Sequence, residues 1–271
     1  MPTETMIEEN MNDRKVSLVF VNYRSIFHLS RALRFLREDS FPLAEREIIV
    51  VNQDGAERTA MRALAAQQGF RLVQRENLGF ASGANAGAKL ATGAYIAFLN
   101  PDARYFAGSI EAIRHIFETQ QKVGLVGATL CDASGRSEAW SRGRLLTIGR
   151  LIRNNLFPNS VRIGGKHRES VDWVSGGALF VRRELFQSLG GFNEEFFLYF
   201  EDMDLCARAK QAGFSIRSSG LLSFTHAGGK SFATKHSQKT HFFDSQQKYF
   251  RQHRPFWEQQ VFFFLRIIKI W

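Results

Sequence analysis

Residues 190–213 read GGFNEEFFLYFEDMDLCARAKQAG and place three acidic side chains directly behind an aromatic run. The acids are Glu201, Asp202 and Asp204, and apolar residues then recur with helical spacing until Gly213 supplies a stop. The pattern therefore predicts a helix with an acidic first turn, in which Asp202 lies near the N-terminus and against aromatic walls. Two interpretations follow: the acids cap the helix and complement its dipole, or they perform chemistry.

Length and composition predict one α/β domain followed by a tail. The chain has 271 residues and 44% of them are hydrophobic, which is enough for one substantial core. We expect a disordered leader over residues 1–15, a catalytic domain over 16–235 and a helical segment over 236–271. The polar leader lacks the apolar core of a secretory signal, and no stretch reaches the roughly 20 apolar residues of a membrane span. Cys131 and Cys206 lack metal-ligand spacing and fit a reducing cytoplasm.

The formal net charge of +10 indicates an anionic partner. Nucleic acid, anionic lipid and phosphorylated substrates all qualify, but no nucleic-acid-binding signature accompanies the basic residues. Many of these residues crowd the stretch 136–168, whose periodicity is weak. That stretch is either a solvated loop or a basic surface that binds an acceptor substrate.

Strand and helix patterns alternate through the first hundred residues. Short apolar runs predict strands over residues 16–21, 47–51, 70–74 and 95–99. Helical patterns lie between them over residues 25–38, from the capping-box pair Asp54 and Glu57 to Gly69, and over residues 82–90. Such alternation predicts a largely parallel sheet with helices on both faces, and these sheets bind ligands at the carboxyl ends of their strands.

Polar side chains follow three of the predicted strands. Asn22 follows the first strand, Asn52 and Asp54 follow the second, and the fourth ends in Asn100 and Asp102. The first two groups can bind a nucleotide base or ribose, although turn and cap chemistry explains them equally well. Asp102 presents a carboxylate at the ligand-binding edge, where we expect a divalent metal.

A segment rich in glycine and asparagine, NLGFASGANAG, covers residues 77–87. It is not a dinucleotide-binding fingerprint, because that motif places its glycines directly after the first strand. Glycine costs about 1 kcal/mol relative to alanine inside a helix. Glycine at every fourth position therefore predicts a close approach, either to the rest of the protein or to a ligand.

Together these segments resemble the family 2 glycosyltransferases of GT-A fold, and most of all the rhamnosyltransferase-like branch that builds bacterial surface polysaccharides. The resemblance covers most of residues 16–231. It is carried by Asn22-Tyr23 after the first strand, NLGFASGANAG, FLNPD over residues 98–102, VDWVSGGALFVRRELFQSLGGFNEEFFLYFEDMDLCARAKQAG over residues 171–213, and HAGGKS over residues 226–231.

The resemblance implies an inverting hexosyltransferase with a Rossmann-like GT-A fold and a C-terminal helical tail. Asp202 would be the general base that deprotonates the acceptor hydroxyl, with Glu201 as a catalytic neighbour. Asp102 would hold Mg²⁺ or Mn²⁺ on the donor diphosphate, with His226 as a further ligand. The nucleotide-sugar site would comprise Asn22, Asn52, Asp54, Asn77, Gly79, Phe80, Gly83, Asn85, Asn100 and Asp102. The acceptor or sugar pocket would comprise Trp173, Gly176, Gly177 and Asp204.

The resemblance also implies partners and a location. The donor would be a nucleoside-diphosphate sugar, with dTDP-rhamnose favoured. The acceptor would be a saccharide or a polyprenyl-diphosphate-linked saccharide in O-antigen, capsule or cell-wall synthesis. We expect the enzyme in the cytoplasm, peripheral on the inner face of the cytoplasmic membrane.

Two features bear on these implications. Relatives usually place an acid where this chain has Asn52, whose carbonyl can still accept a base N–H. The helix N-terminus and the metal are expected to lower the pKa of Asp202 more than desolvation raises it.

Two other functions remain as alternatives to the enzyme: a non-catalytic sugar-nucleotide-binding relative and a nucleic-acid-binding protein. The intact pair Glu201-Asp202 argues against the first, and the second leaves the acidic cluster unexplained.

The tail, residues 256–271, reads FWEQQVFFFLRIIKIW. It is too short to span a bilayer, but it is apolar and aromatic and carries Arg266 and Lys269. We therefore expect it to lie in an anionic membrane interface. The alternative is packing against its own domain or against a second subunit, which would make a homodimer.

Overall fold

The computed structural model of the chain describes residues 14–36, 40–156, 170–226 and 235–267. Most of the predicted leader, the last third of the basic stretch, the segment after His226 and the end of the tail lie outside these residues. The strands are β1 (Val16–Asn22), β2 (Arg46–Asn52), β3 (Arg71–Gln74), β4 (Tyr95–Leu99), β5 (Ala103–Gly108), β6 (Val123–Cys131), β7 (Arg142–Gly143), β8 (Ser170–Val171), β9 (Trp173–Val174), β10 (Ala178–Arg182) and β11 (Ser215–His226). The α-helices are α1 (Ile26–Phe35), α2 (Arg58–Gln68), α3 (Phe80–Ala88), α4 (Ile110–Thr119), α5 (Ile148–Leu156), α6 (Arg183–Ser188), α7 (Glu201–Gln211), α8 (Lys235–His253) and α9 (Phe256–Ile267).

A nine-stranded sheet forms the centre in the order β3-β2-β1-β4-β10-β6-β11-β5, with β8 paired to β11. The first four strands in this order are mutually parallel. By contrast, β10 runs antiparallel between β4 and β6, and β5 runs antiparallel to β11. Because β10 reverses between two strands of the same direction, the carboxyl ends of β1, β2, β4 and β6 still meet at one edge. The predicted α/β sheet is confirmed, and β10 is the reversed strand that the sequence patterns did not reveal.

Side chains alternate along the buried strands and so build two apolar cores. Val16, Leu18 and Phe20 of β1 face the core that contains α1, α2 and α4. Val19 and Val21 face the opposite core, which contains α3, α6 and α7. Helices therefore cover both faces of the sheet, as predicted.

Most predicted elements of the first half agree closely with the structure. β4 has the predicted bounds, and the ends of β1, β2, β3 and α3 lie within two residues of the predicted ones. Gly69 ends α2 in a left-handed conformation (φ 72°), as expected. The predicted capping box is wrong, because Glu57 accepts hydrogen bonds from Asn22 Nδ2 at 2.7 Å and from the N–H of Ile26 at 3.3 Å. The acid assigned to α2 instead joins the start of α1 to the end of β1.

The tail helices pack against the rest of the fold through a third apolar cluster. This cluster contains Ile148, Leu151, Phe196, Phe200, Met203, Tyr249, Phe250 and Phe262. Within it, the rings of Phe250 and Phe262 stack with centroids 4.4 Å apart. Glu258 of α9 also accepts a hydrogen bond from the N–H of Ile148 at 2.9 Å. One face of α9 therefore packs on its own domain. None of the described helices is long and apolar enough to cross a bilayer.

Candidate active site

The acidic helix α7 begins after a strained turn. Tyr199 and Phe200 both have left-handed backbone conformations (φ 67° and 66°), which cost on the order of 1–3 kcal/mol each for residues other than glycine. Contacts from α8 hold this turn. Ser245 Oγ donates to the carbonyl of Leu198 at 2.7 Å, and Gln238 Nε2 donates to the hydroxyl of Tyr199 at 2.8 Å. Strain that surrounding contacts maintain is typical of functional sites.

Two backbone N–H groups hold the carboxylate of Asp202. Its Oδ1 accepts from Met203 at 2.7 Å, and its Oδ2 accepts from Gly176 at 2.9 Å. Burial raises the pKa of Asp202, and these hydrogen bonds offset the effect only in part. The expected net lowering included the metal; among the protein groups alone, desolvation outweighs the hydrogen bonds. A carboxylate with a raised pKa is a stronger proton acceptor, which suits a general base.

Glu201 is buried beside Asp202. Its side chain is 5% exposed, and its Oε2 has no hydrogen-bond partner among the described residues. Burial, followed by the charges of Asp202 and Asp204, raises the pKa of Glu201 well above its ordinary value. Two neighbouring carboxyl groups in a low-dielectric site do not both ionise readily. Of the two, Glu201 is therefore the carboxyl group that binds a proton more readily.

Asp204 is engaged on the side of α8. It is 1% exposed, its Oδ2 accepts from Arg208 at 2.6 Å, and its Oδ1 lies 2.7 Å from Nε2 of His253. Because protein groups occupy both oxygens, we correct the assignment of Asp204 to the acceptor pocket. Its contacts join α7 to α8.

A glycine turn connects Asp202 to the end of β4. Besides the bond from Gly176 to Asp202, the carbonyl of Gly177 accepts from the N–H of Asn100 at 3.0 Å. A Cβ on Gly176 would lie 3.6 Å from both Asp202 and the ring of Phe80. The structure therefore brings the base candidate, an aromatic wall and the end of β4 into one site.

Trp173, the other predicted member of the acceptor pocket, is half-buried in β9. This strand packs against α7 and pairs with β7, where Gly143 stands opposite Trp173. A Cβ on Gly143 would lie 3.3 Å from Nε1 of Trp173. The loop that follows β6 is thereby joined to β9, beside α7.

The backbones of the two predicted metal ligands lie near each other in the sheet. Asp102 is half-buried at the carboxyl edge, and His226 of β11 pairs with Ala103, the next residue along the chain. In the described part of the chain, no group of three or more His, Cys, Asp or Glu side chains could hold a metal. A single carboxylate nevertheless fits Mg²⁺ or Mn²⁺, because such ions take most of their ligands from substrate phosphates and water.

The asparagines at the ends of β1 and β2 bind each other. Asn22 Nδ2 donates to Asn52 Oδ1 at 2.9 Å, and the N–H of Asp54 donates to the same oxygen at 3.3 Å. The oxygen of Asn52 that we expected to accept a base N–H is therefore already engaged. Asn22 Oδ1, by contrast, is buried without a hydrogen-bond partner among the described residues. The carboxylate of Asp54 accepts from the N–H of Ala56 at 2.9 Å and so stabilises its own turn.

The glycines of helix α3 allow a close approach to other parts of the protein. A Cβ on Gly83 would lie 2.7 Å from Cγ1 of Val21. At Gly79 (φ 96°) a Cβ would lie 2.3 Å from the carbonyl oxygen of Phe197, which accepts from the N–H of Phe80 at 2.8 Å. The glycines thus lock α3 to β1 and to the segment that precedes α7.

The asparagines of this segment also bond to protein groups. The side-chain amide of Asn85 donates to the carbonyl of Phe192 and accepts from its N–H, both at 2.9 Å. Asn77 Oδ1 accepts from the N–H of Gly79 at 3.1 Å. We therefore interpret both asparagines as residues that shape the site through contacts with protein groups.

A family model described as "Glycosyl transferase family 2" matches residues 17–190. The chain belongs to glycosyl transferase family 2. A second model, described as "N-terminal domain of galactosyltransferase", matches residues 166–236 of this glycosyltransferase. The two matches together include the end of β4, the glycine turn, the strained turn and α7.

Two curated relatives are similar to parts of this glycosyltransferase. It is 29% identical over 130 residues to an N-acetylglucosaminyl-diphospho-decaprenol L-rhamnosyltransferase of Mycobacterium tuberculosis, a match that covers 44% of this chain and 42% of the relative. It is 34% identical over 68 residues to rhamnosyltransferase WbbL of Escherichia coli K12, covering 24% and 26% of the two chains. The chain thus matches less than half the length of either relative. These similarities confirm the predicted resemblance to the rhamnosyltransferase-like branch.

Among solved structures, the glycosyltransferase resembles mannosyltransferase PcManGT from Pyrobaculum calidifontis in complex with GDP-Man and Mn²⁺. The TM-score is 0.65 at 17% sequence identity, and the match covers 89% of this chain and 64% of that chain. This similarity confirms the predicted GT-A fold.

The sequence patterns missed the contribution of α8 to the site of this glycosyltransferase. Gln238, Ser245 and His253 contact the strained turn and Asp204 from about 40 to 50 residues further along the chain. All three lie beyond residues 17–190 and 166–236, the parts that the family models match. The one available signal was the mixture of buried aromatic and polar residues along a helix, which indicates a packed partner but does not identify it.

The pH dependence of kcat follows from the raised pKa of Asp202. Turnover needs the ionised carboxylate, so kcat should fall as the pH drops through this pKa. Because burial raises the pKa, the acid limb should lie at higher pH than an ordinary aspartate would give. The measurement is kcat against pH at saturating donor and acceptor, which reports groups in the enzyme–substrate complex. A profile that stays flat down to about pH 4, the ordinary aspartate range, would contradict the assignment.

Proposed function

We propose that this chain is an inverting glycosyltransferase that moves a sugar from a nucleoside-diphosphate donor to a saccharide acceptor. One observation carries the proposal: the turn of Gly176 and Gly177 binds the base candidate Asp202 on one side and the end of β4 on the other. A single displacement needs this arrangement, because the base must lie on the acceptor side of the anomeric carbon and the diphosphate on the opposite side.

In the proposed reaction, Asp202 accepts the proton of the acceptor hydroxyl while the hydroxyl oxygen attacks the anomeric carbon. The bond from that carbon to the diphosphate breaks in the same step, so the configuration inverts. The N–H groups of Gly176 and Met203 orient the carboxylate, and the raised pKa of Glu201 favours its neutral form beside the charge of Asp202. The ring of Phe80 helps to keep water from the site.

Asp102 and His226 would hold Mg²⁺ or Mn²⁺, and the bound ion would stabilise the charge that develops on the leaving diphosphate. The donor set supports this proposal, because a hard carboxylate stands at the sheet edge beside a histidine backbone. PcManGT, solved with GDP-Man and Mn²⁺, gives independent support.

The proposed donor is dTDP-rhamnose, and the proposed acceptor is a saccharide carried on a polyprenyl diphosphate. The name of the mycobacterial relative supports both, since it combines an L-rhamnosyl group with an N-acetylglucosaminyl-diphospho-decaprenol acceptor. The chain would then act in bacterial surface polysaccharide synthesis, in the cytoplasm at the inner face of the cytoplasmic membrane.

A donor panel tests this function. We expect one nucleoside-diphosphate sugar, dTDP-rhamnose first among them, to raise the melting temperature in the presence of Mg²⁺ or Mn²⁺. The same sugar nucleotide should support transfer to a lipid-linked saccharide. If no sugar nucleotide raises the melting temperature and none is consumed, the proposed function is wrong.

The outer face of α9 supports the proposed membrane location. Phe256, Trp257, Phe263, Phe264 and Ile267 are all more than half exposed on this short helix. Arg266 lies on the same helix, and exposed Arg153 lies on α5, against which α9 packs. Aromatic side chains beside arginines are typical of helices that lie in an anionic membrane interface.

Changing this outer face should separate membrane binding from folding. The variant Trp257→Gln/Phe263→Gln/Phe264→Gln keeps the buried Phe262 and is expected to bind anionic vesicles at least about tenfold more weakly, because large apolar groups no longer enter the interface. Co-sedimentation with anionic vesicles measures this, and Leu43→Gln/Leu221→Gln, at two other exposed apolar positions, is the matched control. Unchanged sedimentation of the triple variant would contradict the membrane proposal. If the unmodified protein is a dimer and the triple variant is a monomer, the outer face of α9 binds a second subunit.

A further inference from the structure

The loop after β6 borders the same sheet edge as Asp102. Thr225 of β11 pairs with Cys131 at the end of β6, and the next residue, His226, pairs with Ala103. On the other side of β6, a Cβ on Gly177 would lie 3.0 Å from Cδ1 of Leu130. Residues 132–143 therefore leave the sheet directly beside the glycine turn of the proposed site.

Two charged side chains of this loop have buried polar atoms without hydrogen-bond partners in the described part of the chain. Glu138 Oε2 and Arg142 Nη1 are buried and have no hydrogen-bond partner among the described residues. The other amino group of Arg142, Nη2, donates to Ser137 Oγ at 2.9 Å. Native proteins leave few buried polar atoms unsatisfied, so a complementary pair of them needs an explanation.

Both charges lie near the end of β6, where Arg142 also bonds to Ser137, the residue before Glu138. Burial mainly raises the pKa of the Cys131 thiol, and the charges of Arg142 and Glu138 act on the same thiol in opposite directions. Burial also lowers the pKa of Arg142, so its guanidinium is poorly solvated. Both side chains are half-buried, which places them at the boundary between protein and solvent.

The backbone fixes this loop to the acceptor side of the site. The N–H of Ser175 donates to the carbonyl of Ser141 at 2.8 Å, and Arg142 pairs with Val174. Between Glu138 and Arg142 stands Trp140, whose side chain is 50% exposed. An indole held half in solvent by a fixed backbone offers an apolar face to a ligand.

The carboxylate of Glu138 and the guanidinium of Arg142 together favour a neutral ligand with several hydroxyl groups. Glu138 would repel a phosphate, and Arg142 would repel a cation. A hydroxyl group both donates and accepts, so neighbouring hydroxyls satisfy the carboxylate and the guanidinium together. The C–H face of a sugar ring can pack against an indole at the same time.

We propose that Glu138, Trp140 and Arg142 form a saccharide subsite that binds the sugar of the acceptor. The position of this subsite in a transfer reaction rests on the proposed function, but saccharide binding by these residues does not. Glu138 accepts from one hydroxyl, Arg142 donates to its neighbour, and Trp140 covers one face of the ring.

The test measures saccharide binding without donor or transfer. Fluorine NMR of the protein labelled with 5-fluorotryptophan resolves the four tryptophans, and Trp140→Phe assigns the signal of Trp140. Methyl glycosides of N-acetylglucosamine and of rhamnose are the probes. We expect at least one glycoside to shift the Trp140 signal in a saturable manner. Glu138→Gln and Arg142→Gln should each weaken that binding about tenfold or more, because each removes a charge-assisted hydrogen bond.

Matched measurements separate this subsite from the proposed function. Trp257→Ala, at an exposed tryptophan on α9, should leave glycoside binding unchanged, and sugar-nucleotide affinity should be the same in all these variants. The subsite is overturned if neither glycoside shifts the Trp140 signal in the unmodified protein. It is also overturned if Glu138→Gln and Arg142→Gln bind the glycosides as tightly as the unmodified protein does. If glycosides bind through these residues but no sugar nucleotide binds, the proposed function fails and the subsite stands.

Discussion

Replacing Asp202 with asparagine is expected to lower kcat by about 10²- to 10⁴-fold, or about 3 to 5 kcal/mol of barrier, while the donor Kd stays nearly unchanged. Asparagine cannot accept a proton at neutral pH, so the attacking hydroxyl loses its base. The proposed donor site lies at the sheet edge near Asp102, and the substitution leaves Asp102 in place. The measurement is kcat at saturating donor and acceptor, beside donor Kd from calorimetry, for both proteins.

The structure also predicts a cost in stability for Asp202→Asn. Two N–H groups donate to the two oxygens of Asp202, and an asparagine offers only one oxygen. One N–H would then face an NH₂ group, at a cost of about 1–3 kcal/mol. The exposed Asp244→Asn serves as the neutral control. A variant of Asp202 that folds and retains more than about a tenth of the original kcat would remove Asp202 from the base role.

Replacing Asp102 with alanine is expected to weaken metal-dependent donor binding on the order of 10- to 100-fold, because the donor diphosphate loses its cation bridge to the sheet. Calorimetry with the sugar nucleotide, with and without Mn²⁺, measures this effect. The difference between the two titrations should largely disappear in Asp102→Ala.

Asp244→Ala is the matched control for this substitution, because it removes an exposed carboxylate on α8. Its titrations should agree with those of the unmodified protein. If Asp102→Ala keeps the full Mn²⁺ dependence, the metal lies elsewhere and His226 at the same edge loses its proposed role.

Local patterns predicted the first half of the fold because its elements follow one another along the sheet. β1 to β4 are short apolar runs, and Gly69 supplies a stop that depends on its own left-handed backbone. β10 was missed because an antiparallel strand between β4 and β6 is a property of the topology, and a buried apolar run carries no sign of its direction.

The sequence identified the three acids of the candidate site, but it did not show that their burial and hydrogen-bond partners differ. Glu201, Asp202 and Asp204 lie on one helix turn, yet their surroundings differ. In the described part of the chain Glu201 Oε2 is buried without a partner, whereas Asp202 accepts from Gly176 and Asp204 is paired with Arg208 and His253. The partners lie up to about 50 residues away, so spacing along the helix could not separate these roles. Likewise, the glycines of α3 indicated a close approach, but only the structure shows that protein atoms fill the space.

The anomeric configuration of the product tests the central claim most directly, because a single displacement assisted by Asp202 inverts the anomeric carbon. The full chain is incubated with the donor that the stability panel identifies and with a lipid-linked saccharide, and NMR of the purified product determines the configuration of the new linkage. We predict the configuration opposite to that of the donor, and Asp202→Asn should form product at least about a hundredfold more slowly. A product that retains the donor configuration would contradict the account, because retention requires a route in which Asp202 does not act as the base of one direct attack.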